Sequence, residues 1–195
     1  MMDSKGTILD MANELPHLER LLIVCGMPNA GKSTLLRSMF TDPRFGTGRT
    51  IPTSSRIPTV ALSRERCLHV RCTSPHEAGE TLDAFFDELH RARAAAWHLY
   101  WRFNYACAMQ PHARNNAPDL VAFCQAISAR LIPERIRVVQ IDPRHDGTAG
   151  TMLNHAEVDI LRGLDIDVVT IDARQTSTLK APTNGLFLAD FFDFT

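Results

Sequence analysis

The residues best suited to chemistry lie at positions 26–34, where two glycines bracket a loop that runs into a lysine and two hydroxyl residues. The segment reads Gly26-Met27-Pro28-Asn29-Ala30-Gly31-Lys32-Ser33-Thr34. Glycines let a loop turn its backbone N–H groups toward an anion, and a lysine ammonium adds positive charge beside them. A hydroxyl oxygen is a ligand that Mg²⁺ accepts. The spacing therefore predicts a site for phosphate groups and a magnesium ion.

Each residue type in this segment has a separate predicted task. Gly26 permits a sharp exit from the preceding strand, and Gly31 leaves room for a phosphate to approach the backbone. Lys32 is expected to reach the β- and γ-phosphates of a nucleoside triphosphate, and Ser33 to place its hydroxyl on the metal. Three further residues complete the predicted phosphate site: Asn29, Ala30 and Thr34. The predicted ligands are therefore Mg²⁺ and either ATP or GTP.

The segments on either side of the loop suit such a site. Residues 21–25 form a short apolar run that ends at a glycine, which is typical of a strand buried on both faces. The apolar residues after the loop fall on one face of a helix: Leu35, Leu36, Met39 and Phe40. A loop between such a strand and such a helix lies at the carboxyl edge of a sheet, where α/β proteins bind ligands.

The middle of the chain is predicted to be a hairpin followed by two helices. Short strand patterns at 59–62 and 67–72 flank a polar tip. A helix start is predicted at 73–77, and a long helical pattern runs from Glu80 to about Gln110, with an aromatic cluster near its end. A cap at 115–119 begins a second helix that extends to about Leu131.

The last third contains two similar strand patterns. Residues 136–144 and 166–174 both contain Asp-x-Arg at their ends, and a helical stretch at 151–161 lies between them. Strand, helix and strand over this length form one βαβ unit, so the two strands are predicted to be parallel. A turn at 182–185 and an apolar tail follow. Together the patterns predict an α/β protein with a doubly wound, mostly parallel sheet of about five strands and helices on both faces.

Length and composition favour one domain. The 195 residues carry an ordinary share of hydrophobic side chains and a formal net charge of −1, which gives no general attraction to nucleic acid or membranes. We expect a single nucleotide-binding domain over 1–195, with a short extension at 1–18 and a helical segment at 80–131 inserted before the C-terminal strands. No apolar run approaches the ~20 residues of a membrane span, and no signal peptide is indicated. We therefore expect a cytoplasmic protein.

The segment from Gly26 to Leu36 resembles the first motif of bacterial GTPases of the Era/Obg type, which belong to the P-loop NTPase superfamily. The resemblance covers residues 21 to about 37 and implies the P-loop NTPase fold, with Lys32 on the phosphates and Ser33 on the metal. It also implies a mobile threonine after the first helix, and the candidates are Thr50, Thr53 and Thr59.

Other motifs of those GTPases are missing. The strand at 67–72 is followed by Thr-Ser-Pro-His, with no Asp-x-x-Gly, and none of the three lysines lies in the motif that reads guanine. The acid that completes the Mg²⁺ site must come from elsewhere. Asp142 is the preferred candidate because it ends an apolar strand, and Asp172 is the second. Glu77 and Glu80 could instead position a water molecule. The arginines placed to neutralise charge are Arg49, Arg56, Arg144 and Arg174.

These observations predict Mg²⁺-dependent binding and hydrolysis of ATP or GTP, coupled to a protein partner or a conformational change, with Lys32 and Asp142 as catalytic residues. Two alternatives stay open at this point. One is a kinase that transfers phosphate to a nucleotide or another small molecule. The other is a nucleotide-binding module without catalysis, which the missing acid after residue 72 favours. The sequence does not select between ATP and GTP or indicate an oligomeric state.

Overall fold

A computed structural model of the protein describes residues 15–54, 56–174 and 180–192, which fold around one six-stranded sheet. In chain order the strands are β1 (His17–Cys25), β2 (Val60–Ala61), β3 (Arg66–Arg71), β4 (Arg102–Met109), β5 (Arg135–Ile141) and β6 (Ile166–Ile171). They lie in the order β2-β3-β4-β1-β5-β6. Strand β1 is central and pairs in parallel with β4 and β5, and the outer strands β3 and β6 are also parallel. Only the short β2 is antiparallel.

Six α-helices connect these strands within the described residues. They are α1 (Lys32–Ser38), α2 (Pro75–Ala78), α3 (Leu82–Ala96), α4 (Leu120–Leu131), α5 (His155–Gly163) and α6 (Lys180–Phe192). Side-chain caps begin several of them, because a polar oxygen satisfies an N–H group that has no partner in the first turn. Asp119 caps α4 as the sequence predicted, and Asn154 caps α5. None of the described helices has the length and apolar character required to cross a bilayer.

The hydrophobic core has two layers, one on each face of the sheet. Alternate residues of β1 enter different layers, since successive side chains of a strand point to opposite faces. Leu21 and Ile23 pack with the layer that contains α3, α4 and α5, whereas Leu22 and Val24 pack with α1 and α6. The predicted α/β class, the mostly parallel sheet and the helices on both faces are confirmed, with six strands where about five were expected.

One predicted helix is wrong beyond Ala96. The pattern from Glu80 to Gln110 was expected to be helical, but residues 102–109 form β4, the strand beside β1. Every residue from Phe103 to Met109 is buried, because this strand is covered on both faces. Such a strand has no polar alternation, so its sequence resembles the continuation of an apolar helix. The aromatic cluster is consequently divided: Trp101 is exposed and Tyr105 is in the core.

Two boundaries also differ from the predictions. Strand β1 begins at His17, four residues before the apolar run, and the predicted extension at 1–18 otherwise falls largely outside the described residues. The turn predicted at 182–185 is part of α6. Pro182 is tolerated there because the first turn of a helix needs no donor from it.

Gly185 is explained by a close helix contact. A Cβ atom at this position would lie 2.2 Å from the carbonyl oxygen of Ser38, so only glycine lets α6 approach the end of α1 this closely. The preceding residue, Asn184, lines the cleft described below.

Candidate functional site

The loop between β1 and α1 lies at the carboxyl end of the central strand. Gly26 N donates to the carbonyl of Met109 at the end of β4 (3.1 Å), and Ala30 N donates to Met27 O (3.1 Å), which makes a tight turn. Asn29 and Gly31 have φ angles of 60° and 96°. Glycine adopts such left-handed conformations without strain, and asparagine tolerates them better than most residues. The glycine spacing in the sequence thus corresponds to the observed path of the loop.

A second reason for glycine applies at position 26. A Cβ atom there would lie 3.0 Å from the Cβ of Ala30 and 3.6 Å from the Cγ of Lys32. The loop folds back on its own beginning, and a side chain at residue 26 would crowd Ala30.

The amides that follow the loop are available to a ligand. Leu35 N donates to Gly31 O (2.9 Å), which is the first hydrogen bond of α1. The preceding amides, of Lys32, Ser33 and Thr34, belong to the first turn, where an α-helix offers no intrahelical acceptor. No side chain of the described residues caps this helix. An anion at this end would be attracted by both the N–H groups and the helix dipole.

The Lys32 side chain is only 3% exposed, although it carries an ammonium group. Its Nζ donates to two carbonyl oxygens of its own loop, Gly26 O (3.0 Å) and Met27 O (2.9 Å). Burial lowers the pKa of Lys32, and the nearby carboxylate of Glu77 opposes that shift. The ammonium is therefore held at the loop by neutral acceptors, in a place where a phosphate could supply the missing counter-charge.

Glu77 lies directly opposite this ammonium. Its Oε1 is 3.7 Å from Lys32 Nζ, and its side chain is 41% exposed. Its Oε2 accepts a hydrogen bond from Ser74 N while Ser74 Oγ accepts one from Glu77 N, so the residue forms a capping box at the start of α2. The cap fixes one carboxylate oxygen and aims the other toward the loop. Sequence reasoning gave Glu77 a minor part, but the Ser74-x-x-Glu77 signature directly after a strand is the signal that could have identified it.

A cleft of about 370 Å³ runs along the carboxyl ends of the strands. It extends from Glu77 after β3, across the loop and α1, to residues that follow β5 and β6. Its far wall consists of residues from three other elements, namely His145 after β5, Ala173 after β6 and Asn184 in α6. Asn184 Nδ2 donates to Asp172 O (3.1 Å), which fixes the amide beside the cleft. The predicted phosphate residues from Asn29 to Thr34 all line this cleft.

The cleft also contains oxygen atoms that suit Mg²⁺. Ser33 Oγ donates to Cys72 O (2.9 Å) at the end of β3, and it would exchange this carbonyl for a metal. Mg²⁺ takes one or two protein oxygens and completes its shell with phosphate oxygens and water. The Ser33 hydroxyl is one such oxygen and lines the cleft beside the predicted phosphate site, so the residues present fit the ion. The described residues hold no cluster of three or more acidic, histidine or cysteine ligands, which this coordination does not need.

The predicted acid Asp142 is placed differently. It follows β5, and its Oδ1 accepts a hydrogen bond from Gly150 N (3.1 Å), so it braces the loop after β5. It does not line the cleft that contains Lys32 and Ser33. Asp172 is bound to Arg174, with 2.7 Å between its Oδ2 and the guanidinium. Metal binding by Asp142 stays a prediction.

The candidate threonines are not gathered at the cleft. Thr59 Oγ1 lies 3.1 Å from His69 Nδ1, on the hairpin side of the sheet. Thr50 and Thr53 belong to the irregular segment before β2 and do not line the cleft.

Comparison with known proteins gives no match: no family model, no curated protein and no solved structure matches this chain. The function must therefore be argued from the site itself.

Proposed function

We propose that this protein binds a nucleoside triphosphate with Mg²⁺ in the cleft at the carboxyl edge of β1 and cleaves its terminal phosphoanhydride bond. The observation that carries the proposal is the buried ammonium of Lys32, which donates to two loop carbonyls and faces Glu77 at 3.7 Å, at the mouth of a cleft lined by the first turn of α1. Under this proposal the chain has the P-loop NTPase fold that its loop sequence resembles.

The chain's own residues divide the work as follows. The amides of the first turn of α1 and the Lys32 ammonium bind the β- and γ-phosphates and neutralise charge that develops during cleavage. Mg²⁺, when bound, would withdraw charge from the phosphate oxygens. Ser33 holds the ion. Glu77, with one oxygen fixed by the helix cap, orients the attacking water and accepts its proton.

Calorimetry on the purified protein tests the binding part. Titration with ATP and with GTP, each with and without Mg²⁺, should give Mg²⁺-dependent binding of at least one triphosphate. Lys32→Met should weaken that affinity by at least about 100-fold, because the charge-assisted contact to two phosphates is lost. Arg162→Met, which removes an exposed positive charge on α5, is the matched control and should leave the affinity unchanged. If no triphosphate binds, the proposal is wrong.

Transfer to a small-molecule acceptor is the second candidate reaction. It is favoured by the length of the cleft, which runs past the loop toward Glu77 on one side and Asn184 on the other. Release of inorganic phosphate into water, measured with no acceptor present, indicates hydrolysis. Binding without any turnover would leave only the non-catalytic alternative.

A further inference from the structure

A second cavity lies on the other side of the loop that follows β1. It has a volume of about 330 Å³ and is lined by Met27, Pro28 and Asn29 on one side and by Arg144, Ala149, Gly150 and Thr151 on the other. Of these residues only Asn29 also lines the cleft. We call this cavity the Arg144 groove. The loop from residue 26 to 31 is thus a wall between two separate binding spaces.

The outer wall of the Arg144 groove is a well-braced loop. Arg144 N donates to Thr148 O (3.0 Å), and Gly147 N donates to Arg144 O (2.9 Å). The Asp142 carboxylate accepts from Gly150 N at the end of the same loop. A Cβ atom at Gly150 would lie 2.9 Å from Met27 Cγ, so this wall touches the phosphate loop directly. The groove is therefore formed before any ligand arrives.

Arg144 carries the positive charge of the groove, and the protein only partly pairs that charge. Its side chain is 24% exposed, and its one ion pair among the described residues is a 3.4 Å contact with the exposed Asp146. Its buried Nε has no hydrogen-bond partner there. By contrast, Arg174 is bound to Asp172 at 2.7 Å. A guanidinium offers a fork of donors that matches a phosphate or carboxylate, so Arg144 is the arginine best placed to take one from outside.

We propose that the Arg144 groove binds the oxyanion group, phosphate or carboxylate, of a second small molecule while the triphosphate occupies the cleft. The proposal rests on the proposed function for the triphosphate that occupies the cleft, but the groove's affinity for an oxyanion is measurable by itself. The competing source of the same chemistry is the terminal phosphate of the triphosphate, reaching around the loop to Arg144.

Inorganic phosphate is the probe that separates these sources. It is titrated onto ¹⁵N-labelled protein saturated with Mg²⁺ and a non-hydrolysable triphosphate analogue, and amide shifts are followed. We expect saturable shifts at Ala149, Gly150 and Thr151. Arg144→Gln should weaken phosphate binding by about tenfold or more, the loss of a charge-assisted contact, and change the analogue's affinity by less than about twofold. Arg162→Gln, an exposed arginine on α5, is the matched control and should change neither.

A second variant tests the groove without removing the charge. Ala149→Trp places a bulky side chain at the exposed rim and should reduce phosphate binding as strongly as Arg144→Gln, with the analogue's affinity intact. The proposal is overturned if the shifts are unaltered by both variants, or if Arg144→Gln weakens the analogue as much as it weakens phosphate. If the analogue does not bind but phosphate shows Arg144-dependent shifts, the proposed function fails and the groove stands.

Discussion

A charged side chain is buried at each end of the parallel strands, which we call the amino edge and the carboxyl edge of the sheet. The two side chains have very different partners. At the amino edge, Glu19 of β1 is 0% exposed and is surrounded by partners: Arg66 at 3.0 Å, Arg102 at 2.9 Å and Asn104 Nδ2 at 3.2 Å. At the carboxyl edge, Lys32 is nearly as buried but has two neutral carbonyls and one carboxylate 3.7 Å away.

The difference separates a charge that the chain itself neutralises from one that it neutralises only in part. A buried ion that serves the fold must be neutralised within the chain, since its desolvation is otherwise uncompensated. The pairing of Glu19 meets that requirement with two cations and an amide. Lys32 meets it only in part, and it lies beside first-turn amides that have no acceptor within their own helix. A polyanion would neutralise the Lys32 ammonium and accept hydrogen bonds from the first-turn N–H groups at the same time.

The largest expected effect comes from removing the charge that is fully paired. Glu19→Ala should lower the free energy of unfolding by about 3 kcal/mol, because it leaves two arginines without their shared carboxylate and opens a gap in β1. Arg66 and Arg102 are partly exposed and can regain water, which keeps the loss at the lower end of the range for buried pairs. Urea unfolding measures it.

Glu134 supplies the matched control for that variant. Its carboxylate lies 3.8 Å from the same Arg102 guanidinium, but its side chain is 51% exposed. Glu134→Ala should therefore cost less than about 0.5 kcal/mol, as is usual for surface ion pairs. If the two variants destabilise the protein equally, the pairing of Glu19 is not what stabilises the amino edge.

The same contrast explains what could be read from the sequence. The loop at 26–31 was recognisable because two glycines and a lysine stand at a fixed spacing, and the loop's geometry follows that spacing. The beginning of β1 was not, because the charged Glu19 and Arg20 stand before the apolar run. The partners of Glu19, Arg66 and Arg102, come from other strands and could not be identified from the sequence. Strand β4 was hidden by burial on both faces. Glu77 was underrated because its distance from Lys32 depends on how β3 lies in the sheet.

An intermediate effect is expected when the carboxylate facing Lys32 is neutralised. Glu77→Gln retains an oxygen that can accept from Ser74 N, so the cap on α2 and the stability should persist. Turnover of the triphosphate should fall by at least about tenfold, because the amide cannot accept a proton from water. Steady-state phosphate release measures it, and calorimetry should show a triphosphate affinity within about twofold of the original.

Asp142→Asn is the variant to compare with it. Asparagine can still accept from Gly150 N, so we expect turnover to change less than in Glu77→Gln. A larger loss of turnover and of Mg²⁺ dependence in Asp142→Asn would assign the catalytic carboxylate to β5 and contradict the role proposed for Glu77.

Of the two buried charges, Lys32 is expected to have the smaller effect on stability. Burial of the ammonium lowers the pKa of Lys32, which means that the folded protein holds this charge at a cost. Lys32→Met removes the desolvated ammonium and keeps most of the side-chain volume, while the two carbonyls it contacted lose a donor. These terms oppose each other, so the free energy of unfolding without ligand should change by no more than about 1 kcal/mol. Urea unfolding of Lys32→Met and of Glu19→Ala tests the comparison directly. If Lys32→Met lowers the free energy of unfolding as much as Glu19→Ala does, both charges stabilise the fold. The incomplete pairing of Lys32 would then need no ligand to explain it.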